Sequence, residues 1–106
     1  MNSKTLKVIA KINAIPGKES ILQEVLIKLI EPTRNEPGCI SYILLNNITD
    51  QGEFTFFEEW ITEKDLDSHM QSPHFKKAVN NLNGLISSDP DIKQYHSIEI
   101  GKNQHE

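Results

Sequence analysis

The stretch from Phe54 to Phe75 leaves this chain few ways to fold. Phe54, Phe56, Glu58 and Trp60 alternate with Thr55, Phe57, Glu59 and Ile61, the period of two that sends successive side chains to opposite faces of a strand. A helix is predicted immediately afterwards. Thr62 stands where an N-cap belongs, with Asp65 three residues on to satisfy free N–H groups and to meet the positive end of the helix dipole. Leu66, His69 and Met70 then share one helical face. The strand sends Glu58 and Trp60 toward the layer that holds His69, so an acid, an indole and an imidazole are expected at one strand–helix interface.

The remaining elements follow from periodicity. Leu6 to Ala14 alternates as a strand and is closed by Pro16-Gly17. Ile21, Leu22, Val25, Leu26, Leu29 and Ile30 recur at helical spacing, and the helix is expected to end or kink near Pro32. Ile40 to Asn46 is rich in strand formers, and Thr49-Asp50-Gln51-Gly52 is expected to turn it back into the Phe54 strand. Ser72-Pro73 is a second cap with proline at the first helical position, restarting a helix with Phe75, Val79, Leu82 and Ile86 on one side. Ile92 to Ile100 is expected to form a last strand, with residues 101–106 a disordered polar tail.

The order is strand, helix, strand, strand, helix, strand. It predicts an α+β, ferredoxin-like βαββαβ sandwich formed by residues 1–100, a four-stranded antiparallel sheet with two helices on one face. The other face would carry Ile9, Ile43, Leu45, Phe57 and Ile61, more exposed apolar surface than a monomer comfortably holds. A homodimer through that face is the expected solution, because a two-fold interface uses one patch twice.

Charge narrows the partners. A net charge of −4 with a single arginine, Arg34, provides no basic stripe to neutralise phosphates, so nucleic acid is not an expected partner. Lysines interrupt every apolar run near the start, so neither a secretory segment nor a membrane span is expected. One cysteine, Cys39, allows no internal disulfide and suits a reducing, cytoplasmic setting.

Pro16-Gly17-Lys18, Arg34-Asn35-Glu36-Pro37-Gly38-Cys39 followed by Tyr42, Glu58-Glu59-Trp60, His69 and Ser72-Pro73-His74-Phe75 together resemble the antibiotic biosynthesis monooxygenase (ABM) domains, and within them the quinol-monooxygenase-like branch. The resemblance implies a ferredoxin-like subunit that dimerises through its sheets into an α+β barrel, with an aromatic-lined pocket between sheet and helices. It also implies oxidation of phenols, naphthols or quinols by molecular oxygen without flavin or metal, although other members degrade haem and some act on small phosphorylated signals. The positions matching the haem-degrading branch's asparagine and histidine are Ala10 and Val79, which does not favour haem. With no glycine-rich phosphate loop either, no flavin, haem or stoichiometric metal is expected.

Each candidate residue has a plain structural alternative. His69 suits a general base for a phenolic hydroxyl, and equally a core histidine bonded to backbone. Glu58 either orients His69, serves as the base itself, or makes a structural hydrogen bond; unpaired, its pKa should rise. Trp60, Tyr42 and Phe56 are expected to wall a planar substrate, or simply to fill the core. His74 would close the pocket mouth or sit in solvent. A metal held by Glu58, His69 and His74 is disfavoured by the break between the two histidines. Cys39 is read as a small buried hydrophobe, and Arg34 as a helix C-terminal cation rather than an anion contact.

The expected function is a cofactor-independent monooxygenase for a small electron-rich aromatic, with His69 as base assisted by Glu58. A non-enzymatic small-molecule binder and an isomerase or lyase on the same dimeric fold are the alternatives.

Overall fold

Alternation and capping act together in the computed structural model, which describes residues 4–100. The elements are β1 (Leu6–Asn13), α1 (Glu19–Ile27), α2 (Ile30–Arg34), β2 (Cys39–Asn47), β3 (Asp50–Trp60), α3 (Glu63–Met70), α4 (Pro73–Asn81) and β4 (Asp91–Tyr95). The strands form one antiparallel sheet in the order β2-β3-β1-β4, the ferredoxin-like arrangement expected from the element order.

β3 is the central ladder. Val8 lies opposite Glu58 and Ala10 opposite Phe56 across β1, while Tyr42 lies opposite Glu58 and Leu44 opposite Phe56 across β2. This register gathers Val8, Ala10, Tyr42, Phe54, Phe56 and Trp60 on the buried face, against Leu22, Leu26, Leu66, Ala78 and Leu82 from the helical layer. The opposite face leaves Phe57 39%, Ile43 41%, Leu45 49% and Ile61 50% exposed, as the alternation predicts.

Both predicted caps are present. Thr62 Oγ1 accepts from Asp65 N at 3.1 Å and donates to Asp65 Oδ2 at 2.9 Å, and Ser72 Oγ accepts from Phe75 N at 3.3 Å. Gly38 fits beside the first cap because it has no side chain: a Cβ there would come within 2.0 Å of Asp65 Cγ. Thr62→Ala should therefore cost about 1 kcal/mol in urea unfolding.

Some boundaries differ from expectation. The first helix is interrupted at Lys28 and Leu29, ahead of Pro32, which sits in the first turn of α2, where a missing N–H costs little. The hairpin turn is shorter than Thr49–Gly52, since β3 already begins at Asp50. α4 ends at Asn81, so Ile86 is outside it and instead bridges to Ala14. The last strand stops at Tyr95, short of the expected Ile100. Residues 101–106, expected to be a disordered tail, lie outside the described residues. No helix among the described residues is long and apolar enough to cross a membrane.

Candidate functional site

Between the buried sheet face and the helical layer lies a cavity of about 560 Å³. Val8, Ala10 and Ile12 of β1 and Phe56 of β3 form its sheet side; Leu66, Met70, Phe75 and Val79 form much of its helical side. Two polar groups enter from the sheet, Tyr42 and Glu58, and Asn83 and Asp89 stand in the segment joining α4 to β4. This volume is in the range of small-molecule sites, and the mostly apolar lining with few polar groups is their usual composition.

Glu58 is the chemically distinctive member. It is 5% exposed, with Oε1 accepting the indole N–H of Trp60 at 2.9 Å. Burial raises its pKa to about 7, opposed by the Trp60 hydrogen bond and reinforced by the Glu36 charge. Such a carboxyl group changes protonation near neutrality, where a general acid–base group is most useful. Tyr42 stacks on Phe56 with ring centroids 4.6 Å apart, and burial, then the Glu58 charge, raise its pKa so that it remains a neutral phenol.

A second polar group of residues lies outside the cavity lining. Glu36, in the turn before β2, places Oε2 2.8 Å from His69 Nδ1 and 2.6 Å from His74 Nε2. His69 is 2% exposed and surrounded by rings, with Trp60 at 4.9 Å, Phe75 at 5.0 Å and Tyr42 at 5.6 Å between centroids. Burial lowers the pKa of His69, partly offset by its bond to Glu36. A neutral imidazole donating from Nδ1 to the carboxylate satisfies both groups.

The family model for antibiotic biosynthesis monooxygenases matches residues 5–81. The chain belongs to the antibiotic biosynthesis monooxygenase family. Sequence similarity reaches the uncharacterized protein sll1783 of Synechocystis, 36% identical over 87% of this chain, a match that spans only 63% of that protein's length. Among solved structures, PA3566 of Pseudomonas aeruginosa is 29% identical, covering 93% of this chain and 99% of that one, with a TM-score of 0.88. Rv0793 of Mycobacterium tuberculosis is 29% identical over 90% of this chain and 96% of that one, with a TM-score of 0.84. A crystal structure described as an antibiotic biosynthesis monooxygenase is 33% identical over 89% of this chain and 99% of that one, also with a TM-score of 0.84.

In this ABM domain the residues singled out from the sequence separate into two groups. Glu58, Tyr42 and Phe56 line the cavity, as do Ala10 and Val79. Trp60 is fully buried and reaches the cavity only through its bond to Glu58. His69 packs against Trp60 but is bonded to Glu36, not to Glu58. His74 shares that carboxylate and borders a separate hollow of about 230 Å³ together with Val25, Lys28 and Lys77. Arg34 donates from Nε and Nη2 to the Tyr42 carbonyl at 3.0 and 2.8 Å, clamping α2 to β2. Cys39 keeps its proton, its pKa pushed up to about 11 by burial and the neighbouring Glu36 and Glu58 charges.

Glu36 is the functional candidate that sequence reading overlooked. It sits in a turn with no periodicity to give it a face, and its partners are 33 and 38 residues away. The signal available was the Glu36-Pro37-Gly38 motif itself, read only as part of the family resemblance.

Proposed function

We propose that this protein is a cofactor-independent monooxygenase that oxidises a small electron-rich aromatic, of quinol, phenol or naphthol type, with molecular oxygen. The observation that carries this reading is a carboxyl group poised near neutrality inside a largely apolar cavity large enough for an aromatic ring. Glu58 takes the base role that His69 was expected to fill, because it borders the cavity and His69 does not. Ionised Glu58 removes the proton of the substrate hydroxyl, and the resulting anion is a far better electron donor to oxygen. For a quinol, one oxygen atom enters the ring and the other leaves as water, the substrate supplying all the electrons. The protein contributes positioning, a base and a dry setting.

Oxygen consumption with a panel of hydroquinones and dihydroxynaphthalenes, corrected for uncatalysed autoxidation, tests the assignment. Saturable turnover of at least one compound is expected. Binding without turnover of any would replace the enzyme reading by a small-molecule carrier.

The proposal includes a homodimer through the exposed sheet face and, given the single free cysteine, a cytoplasmic location. Light scattering should give about twice the 12.1 kDa of the chain. Phe57→Glu places a charge in that face and should yield monomers or unfolded protein. A concentration-independent monomer in the wild type would remove the dimer from the proposal.

A further inference from the structure

We infer that Glu36, His69 and His74 form a binding site for one divalent transition-metal ion of the zinc type, separate from the substrate cavity. Their candidate ligand atoms all lie within 4.8 Å of one another, although they come from three elements: the turn before β2, the end of α3 and the start of α4. Two imidazole nitrogens and one carboxylate oxygen are the donors that suit zinc, cobalt, nickel or ferrous ions and suit magnesium or calcium poorly. The set weighed and disfavoured from the sequence had Glu58 as its carboxylate. Glu58 is instead committed to Trp60 and the cavity, and Glu36 supplies the third donor.

Charge and packing both support a cation here. The only ion-pair partners of Glu36 among the described residues are the two histidines. The carboxylate is thus 13% exposed with no lysine or arginine paired to it among the described residues. His69 is fixed between Trp60, Tyr42 and Phe75, so one ligand is already held in place. His74, with its side chain 24% exposed, leaves a path for the ion and room for a water ligand.

Binding requires a small rearrangement. Metal–donor distances of about 2.0–2.2 Å place tetrahedral ligands roughly 3.3 Å apart. The carboxylate oxygen must therefore draw back from its 2.8 and 2.6 Å contacts while the two imidazole nitrogens close on each other. To ligate, each imidazole must present an unprotonated nitrogen to the ion, with its ring proton on the other nitrogen. The ion would tie the Glu36 turn to the junction between α3 and α4. None of the three ligands lines the cavity, so this site does not depend on the oxidation chemistry proposed above.

The test uses tag-free protein stripped with chelator, titrated with Zn²⁺ by equilibrium dialysis and with Co²⁺ by visible absorption, with Mg²⁺ as the comparison ion. Stoichiometric Zn²⁺ and a Co²⁺ d–d spectrum of low-symmetry coordination are expected. Glu36→Gln and His74→Ala should each weaken Zn²⁺ binding by about a hundredfold or more, the upper end of what loss of even an outer-shell partner produces. His96→Gln, an exposed histidine outside the site, should leave it unchanged. His74→Ala is preferred to a His69 variant because His74 is partly exposed, and circular dichroism confirms its fold. Absence of Zn²⁺ binding, binding retained in both ligand variants, or binding lost with His96→Gln would each overturn the assignment.

Discussion

Replacing Glu58 by glutamine is expected to lower aromatic-dependent oxygen consumption by at least about a hundredfold, the usual scale for loss of a general base. Glutamine keeps the shape and an acceptor for the Trp60 N–H, so the fold should survive. In the wild type the rate should rise with pH through about 7 as Glu58 ionises, and the variant should lack that limb. A folded His69→Asn with the larger loss, alongside an active Glu58→Gln, would return the base role to the histidine.

The same carboxyl group should make stability depend on pH in a defined direction. Its folded pKa is raised to about 7 from the ordinary carboxyl value of 4.5, so between those values the folded state holds more protons than the unfolded one. Stability from this group is therefore full below about pH 4.5 and declines as pH rises toward 7, by on the order of 3 kcal/mol at most, then levels off. Glu58→Gln should abolish that slope and be the more stable protein above neutrality. Urea unfolding at pH 5 and pH 8 measures both effects, and parallel slopes in the two proteins would exclude Glu58 as the group responsible.

Trp60 is the second position where a large effect is expected. Its side chain is fully buried, packs on His69 and donates to Glu58 at 2.9 Å. Trp60→Ala should cost about 3–5 kcal/mol, a large part of the 5–15 kcal/mol that holds a typical domain together. Trp60→Phe separates packing from hydrogen bonding. It retains most of the buried ring but removes a donor that favours ionised Glu58, so the pH midpoint of activity should move upward. An unmoved midpoint would mean that the indole N–H does not tune the carboxyl group. A Trp60 that served only as a substrate wall would alter KM alone.

The elements were legible because each rests on local chemistry. Period-two alternation in β1 and β3 fixed which side chains face the core, and the Thr62 and Ser72 caps follow from short-range side chain to backbone bonds. Boundaries were less legible where tertiary pairing decides them. Ile98 and Ile100 look like strand residues, yet β4 ends at Tyr95, because strand length depends on a neighbour's available edge rather than on propensity.

The site divides in the same way. Sequence alone determined that Glu58 would share the buried face of β3 with Phe56 and Trp60, that His69 would face the core beside Leu66, and that the far sheet face would be apolar. Only the tertiary structure decided which carboxylate meets which partner. Trp60 lies two residues from Glu58 on one strand face and takes its oxygen, while Glu36 arrives from a turn 33 residues before His69. A hydrogen bond is directional and short, so sharing a layer is not enough to predict it. The turn that carries Glu36 closes beside His69, so the histidine belongs to that cluster and not to the cavity lining.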